Sequence, residues 1–334
     1  MEVVHFNRKV RKTGNYSIEG FYENIRNVLK DKLEINCYEC RYYSNGILRR
    51  LFNALSAAFK QGDVNNVTGD INYLSAFLDT KKNITTILDC GLLANTKGII
   101  HKIGKLFWFT IPIKKSKYIV AISQATKDEI LKYVKCDPDK IKVIYVAISP
   151  KFKRADKKFN KEKPVILQVG TNPNKNLINL ANALSGISCK LIIIGKLNKE
   201  HENTLQKNKI DYENAYNLSE EEIIMKYKSC DILAFVSTYE GFGMPIVEAN
   251  TVGRAVITSN LFSMPEVAGE AASIVNPYSI SEIREGILKI INDDLYRESL
   301  IEKGFENAKR FNLEKIANEY FVLYQEILNE TNKT

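Results

Sequence analysis

Short apolar runs alternate along the chain with longer segments whose apolar positions recur every three to four residues. EVVHF (2–6), NNVTG (65–69), NITTILD (83–89), YIVAIS (118–123) and KIKVIYV (140–146) predict strands, with helices over about 18–33 and 125–135. A second series starts at PVILQVG (164–170). It continues through CKLIIIG (189–195), DILAFVS (231–237), AVITS (255–259) and ASIVN (272–276), with helical patterns between. Several of these runs are apolar throughout, as expected of strands in a parallel sheet covered on both faces. The alternation predicts α/β architecture with helices on both sides of each sheet. Between the two series, KFKRADKKFNKEK (151–163) has the polar composition of a linker. The expected organisation is two doubly wound domains, 1–155 and 160–310, with a helix over 311–334 crossing back to the first. Tandem domains of this kind hold ligands outside the carboxyl ends of their strands, in a cleft.

Length and composition are compatible with that picture: 334 residues suffice for two cores, and 26% charged residues is ordinary for a globular protein. Charge adds something. The net +9 is uneven, with +13 over residues 1–155 and −4 over the rest. The first half therefore suits an anionic partner: a nucleic acid, a phospholipid surface or a phosphorylated substrate. A solvated Lys-rich surface explains the same excess. Cys37 and Cys40 form a lone C-x-x-C, and His5, His101 and His201 do not supply the rest of a zinc site, so no metal is expected. With no leader pattern, reduced thiols in the cytoplasm are the expectation. Residues 99–117 are interrupted by Lys102, Lys105 and Pro112, which argues against a membrane span. They read either as a helix packed on its own sheet or as one touching a membrane surface through Phe107, Trp108 and Phe109.

The chemistry concentrates in DILAFVSTYEGFGMPIVEANTVGRAVITSN, residues 231–260. A buried strand is predicted to end near Ser237. A loop with Glu240, Gly241, Phe242 and Gly243 follows. Pro245 suits the first turn of a helix, where a missing N–H costs nothing, and Gly253 suits its end. Glycines admit a ligand close to the backbone, and the exposed N–H groups of a helix start favour phosphate. Glu240 at the loop mouth and Glu248 one turn into the helix would accept hydrogen bonds from the hydroxyls of a sugar and a ribose.

These residues resemble the Glu-seven-residues-Glu signature of the retaining glycosyltransferases of family four, which have the GT-B fold: two Rossmann-like domains whose parallel sheets face a central cleft. The resemblance implies that Glu240 contacts the donor sugar as a catalytic residue, that Gly241, Phe242, Gly243 and Met244 contact sugar and phosphate, and that Glu248 binds the ribose. LQVGTNPNKNL (167–177) is similar to the family's strand, loop and helix that grip the donor diphosphate. This places Gly170, Thr171 and Lys175 there, with Thr171 where many relatives have arginine and Lys196 as a further cation. YENAYNLSEEEIIMKYKSCDILAFVSTYEGFG resembles the stretch from the nucleobase loop onward, which puts Asn217 and Leu218 near the base. Pro265 and Glu266, in the loop after it, read as structural. In the first half, ITTILDCG (84–91) is similar to a strand end that often reads His-Asp. Asp89 matches the aspartate as a catalytic candidate, while Leu88 replaces the histidine. Gly14, Asn15, Tyr16 and Ser17 fall on the acceptor side, among Arg8, Lys9, Arg11 and Lys12, which could face acceptor phosphates or solvent. Ser123 reads as a helix cap.

The implied reaction moves a hexose from a UDP- or GDP-linked sugar to a glycan or lipid-diphosphate-linked acceptor, without a cofactor, as in bacterial surface polysaccharide assembly. Lys175, Lys196 and the helix start behind Gly243 would stabilise the departing diphosphate. Asp137-Pro138-Asp139 spells a metal-binding Asp-x-Asp but precedes a strand and reads as a turn. Three other readings stand beside this one: a nucleotide-sugar epimerase of the same architecture, a non-catalytic GT-B subunit, and a basic nucleic-acid binder. The last lacks any aromatic-basic recognition motif, so no nucleic acid is expected.

Overall fold

The structure is a computed structural model that describes residues 2–9 and 17–331, with the Ser17 side chain excepted. It divides into two compact units, residues 1–149 with 312–334 and residues 150–311. The first unit contains β1 (Glu2–Asn7), β2 (Glu34–Glu39), β3 (Val64–Val67), β4 (Asn83–Ile87), β5 (Tyr118–Ala121) and β6 (Ile141–Val143). They form one parallel sheet in the order β2-β1-β3-β4-β5-β6. The second contains β7 (Val165–Val169), β8 (Lys190–Ile194), β9 (Asp211–Ala215), β10 (Ile232–Phe235), β11 (Ala255–Ser259) and β12 (Ser273–Val275). Its parallel order is β12-β11-β10-β7-β8-β9. Each order reverses once, between β1 and β3 and between β7 and β10. In doubly wound sheets, ligands bind outside the carboxyl ends of the strands at such a reversal.

All ten strands predicted from the apolar runs are present. Two more, β2 and β9, lie at sheet edges and are largely or partly exposed, so EINCYE and DYENA lack the continuous apolar pattern of a covered strand. The second unit is built on an aliphatic core that includes Ile166, Leu191, Ile193, Ile232, Ile257 and Ile287. Burying each such side chain contributes about 1.5–3 kcal/mol.

The first unit has a different interior. β3 and β4 are buried along their whole length yet carry Asn65, Asn66, Asn83, Thr85 and Thr86. Buried amides and hydroxyls need partners. The Thr85 hydroxyl lies 2.6 Å from Ser75 Oγ and 2.7 Å from Ser116 Oγ, and Asn83 Nδ2 donates to Ser116 Oγ at 3.0 Å. Thr86 lies 2.6 Å from the Tyr22 hydroxyl, which lies 3.0 Å from that of Tyr320. Asn66 Nδ2 donates to the Tyr324 hydroxyl at 2.8 Å. Tyr320 and Tyr324 belong to the helix Leu313–Thr331, which packs on the helix Ser17–Leu29. This last helix thus supplies hydroxyls to the polar layer, in which Asn66 Oδ1, Asn83 Oδ1 and His5 Nδ1 are buried without a hydrogen-bond partner among the described residues.

Residues 99–117 are helical but not uniform: Gly98–Gly104 is α-helix, Lys105–Thr110 a π-helical turn and Ile111–Lys114 α-helix again. Phe109 is buried, Trp108 half-buried and Phe107 exposed, so the three aromatics do not form one outward stripe. Ser123 caps its helix, accepting from Thr126 N at 3.0 Å. Asp137 caps the single 3₁₀ turn Pro138–Lys140 before β6, which accounts for the Asp-x-Asp sequence. All six cysteines are free thiols. Among the described residues no cluster of His, Cys, Asp and Glu is placed to hold a metal, and no helix is long and apolar enough to cross a membrane.

Candidate functional site

The sheet reversal of the second unit joins the loops that follow β7 and β10. After β7 the chain turns at Gly170, whose φ of +91° is unfavourable for any residue with a side chain. A Cβ there would lie 2.9 Å from Lys175 carbons, so the missing side chain is the space the lysine occupies. The turn Pro173–Lys175 follows, and Asn176 in the left-handed region starts the helix Leu177–Ala183. Gln168 Nε2 donates to the Lys175 carbonyl at 2.9 Å and fixes the turn from below.

The two loops are then tied together. Thr238 N donates to the Asn174 carbonyl at 2.8 Å, Asn174 Nδ2 to the Tyr239 carbonyl at 2.9 Å, and Asn176 Nδ2 to the carbonyls of Val236 at 3.0 Å and Pro277 at 2.7 Å. The result is a half-buried ion pair, Lys175 Nζ to Glu240 Oε1 at 2.7 Å. Asn174 Nδ2 donates to the same oxygen at 3.2 Å, and the ammonium sits 4.7 Å from the Phe235 ring centroid. A lysine and a glutamate 65 positions apart are thus held together at one strand-end crevice.

The signature loop is anchored below its tip. The Ser263 hydroxyl lies 2.8 Å from the Glu240 carbonyl and 2.7 Å from that of Phe242. Phe242 is buried edge-on against Phe311. Gly243, at φ +115°, opens the helix Met244–Val252 with Pro245 in its first turn, and Gly253 at φ +85° ends it. The first-turn N–H groups of Met244 onward therefore begin where the sequence placed them. Glu248 lies in the second turn, half-buried, and its Oε2 accepts from the Tyr227 hydroxyl. Burial raises its carboxyl from the usual range to about 7, against the lowering effect of the Tyr227 hydrogen bond.

Other expected donor residues are placed less centrally. Thr171 Oγ1 donates to the Lys196 carbonyl at 2.8 Å, so its hydroxyl joins this loop to the one after β8, and the Lys196 side chain is exposed. Asn217, in the left-handed region at φ +56°, and Leu218 follow edge strand β9, about 10 Å or two strand spacings from β7. The positioning residues Gln168, Asn174, Asn176, Tyr227 and Ser263 are not distinguished by the sequence. Each acts on a residue or carbonyl whose proximity only the fold creates.

In the first unit, Asp89 follows β4 and accepts from Gly91 N at 2.7 Å. It lines a hollow of about 500 Å³ with Arg50, Asp70, Leu88, Ile103 and Trp108. Leu88, Leu92, Ile100 and Ile103 give the hollow an apolar wall. Arg8 is bound by Glu19 at 2.5 Å and Asp70 at 2.9 Å, and Lys9 donates to the Arg41 carbonyl, so neither is simply a solvated cation. Gly14, Asn15 and Tyr16 lie outside the described residues, as do Arg11, Lys12 and the side chain of Ser17, the first residue of the helix Ser17–Leu29.

Residues 150–307 match the family described as glycosyl transferases group 1. The chain is 34% identical over 106 residues to O-antigen chain mannosyltransferase B of Escherichia coli, covering 32% of this chain and 28% of that protein. It is 28% identical over 264 residues to an uncharacterized glycosyltransferase of Methanocaldococcus jannaschii, covering 76% and 72%. It spans less than a third of the length of the first curated relatives it matches. The fold is shared with HepE of Anabaena, solved in complex with UDP and glucose: TM-score 0.78 at 14% identity, covering 98% of this chain and all of that one. A parallel-sheet reversal carrying the paired loops, the family match over the second unit and neighbours of the same two-sheet fold agree: residues 150–307 form a domain of the family described as glycosyl transferases group 1, in a chain that shares the GT-B fold.

Proposed function

We propose that the chain transfers a hexose from a UDP- or GDP-linked donor, with retention of configuration, to a glycan or lipid-diphosphate acceptor of a surface polysaccharide. The observation that carries this reading is the Lys175–Glu240 pair beside the helix start at Gly243. Lys175 and the first-turn N–H groups offer positive potential to a departing diphosphate. Glu240 offers a carboxylate to sugar hydroxyls, and Glu248 one to the ribose. The side chain of Lys175 lies across the ring of Phe235, which limits where its charge can go. With no nucleophile assigned, the leaving phosphate oxygen takes the acceptor's proton on the face it departs from. Asp89 beside its apolar hollow is the candidate on the acceptor side. The O-antigen role of the E. coli relative and the UDP bound by HepE support the class of donor and pathway. A lipid-linked acceptor also implies a cytoplasmic protein in peripheral contact with the membrane.

A thermal-shift panel of UDP-, GDP-, ADP- and dTDP-sugars tests the donor. One of them at one hundred times its Kd should stabilise the protein by about 2.7 kcal/mol, and Lys175→Ala should abolish the shift. NMR of the product anomer then tests retention. An inverted linkage refutes it, and isomerised donor formed without acceptor identifies an epimerase instead.

A further inference from the structure

The helix Ile47–Ala58 is turned inside out. Its buried residues are Asn53, Ala54 and Ala57, while Leu48, Leu51, Phe52 and Leu55 face solvent. Leu48 is 81% exposed, and Phe59, just past the helix end, 86%. A helix packed on its own sheet does the reverse. Across the hollow beside Asp89, the helical stretch from Gly98 presents Ile99, Ile100, Ile103, Leu106 and Phe107, all exposed. The two surfaces meet: Arg50 lines the hollow with Ile100 and Ile103, and its guanidinium lies 4.6 Å from the Trp108 ring centroid.

The two stretches themselves carry charge of one sign, while Asp70 and Asp89 line the hollow between them and Glu330 pairs with Lys117. Residues 40–60 contain Arg41, Arg49, Arg50 and Lys60, and residues 91–117 contain Lys97, Lys102, Lys105, Lys114, Lys115 and Lys117. Neither stretch contains an aspartate or glutamate. A second copy of this face would bring like charges together. Large apolar side chains within a cationic border fit an interface of acyl chains under anionic headgroups.

We propose that these two helices dock the first unit on a bilayer surface bearing anionic lipid, with the Ile47–Ala58 helix as the main apolar anchor. The proposal rests on this surface. The proposed sugar transfer supplies only the reason for such a location. Sedimentation of the full chain with vesicles tests it, comparing phosphatidylcholine alone with equal parts phosphatidylcholine and phosphatidylglycerol. Binding should be at least tenfold stronger to the anionic vesicles and should weaken with salt. The paired variants Leu48→Ser with Phe59→Ser, and Arg49→Glu with Lys102→Glu, change exposed side chains only. Each should lose at least tenfold in vesicle binding with unchanged melting temperature and unchanged donor-induced thermal shift. Absence of binding to anionic vesicles, or variants that bind as the parent does, overturns the proposal. So does a concentration-dependent dimer that Leu48→Ser with Phe59→Ser dissolves, which would assign the face to a second copy. The donor shift is read separately, so failure of vesicle binding leaves the sugar-transfer reading to its own test.

Discussion

Burial beside Tyr227 lifts the Glu248 carboxyl to about 7 from its ordinary value of 4.5, and the two consequences oppose each other. A folded-state pKa above the unfolded one gives stability that is full below about 4.5 and lost as pH rises through about 7. Ribose hydroxyls favour the ionised form, so nucleotide affinity should rise over the upper part of the same window. Glu248→Gln should therefore melt higher than the parent at pH 8 without ligand, yet bind nucleotide at least tenfold more weakly by calorimetry. Gly170→Ala should also weaken nucleotide binding, because its Cβ would lie 2.9 Å from Lys175 at a φ of +91°. Backbone strain adds about 1 kcal/mol or more of lost stability, readable by urea titration. Of this site, EGFGMPIVE and Lys175 are legible in the sequence, since a loop glycine, a Pro and a strand end constrain one another locally. Tyr227 and Asn174 are not, because a hydroxyl or amide 21 or 66 positions from its carboxylate leaves no local pattern.

Elements differ in how openly the sequence declares them. Covered strands such as β8 and β11 read as apolar runs, whereas edge strands β2 and β9 meet water and read as polar segments. The Ile47–Ala58 helix defeats burial reasoning for another reason: its inner face needs only small residues, so the large ones are free to face outward. The helix Leu313–Thr331 can be tested directly. Tyr320→Phe removes one hydroxyl but leaves Tyr22 bound to Thr86, so it should cost about 1 kcal/mol. Tyr320→Ala also empties a fully buried site and should cost about 3–5 kcal/mol, by chemical denaturation. His5 in the same layer is fully buried with its pKa pushed down to about 3, chiefly by burial and then by Arg26. The unfolded chain takes up that proton first, so the first unit should lose stability as pH falls from 6.5 toward 3.

At the scale of the whole molecule, the excess positive charge of the first half has a location. Ten of its cations fall in the two sequence stretches, 40–60 and 91–117, that contain the outward-facing apolar helices, one of them, Lys117, paired with Glu330, and two carboxylates engage Arg8. The donor-side residues all lie within the contiguous unit 150–311, which has its own aliphatic core. Expressed alone, residues 150–311 should fold and retain a nucleotide-induced thermal shift, and loss of both would show that the site depends on the rest of the chain. The first unit is built differently, since Tyr320 and Tyr324 contribute hydroxyls to its polar layer from the helix Leu313–Thr331. A ribosome delivers β1 more than three hundred residues before that helix. The sheet that begins the chain must therefore wait, with Tyr22, His5 and Asn66 short of partners, while the unit made after it can already close. Maturation would run from the later half to the earlier, and a nascent chain stalled before residue 312 should resist protease only over its second unit.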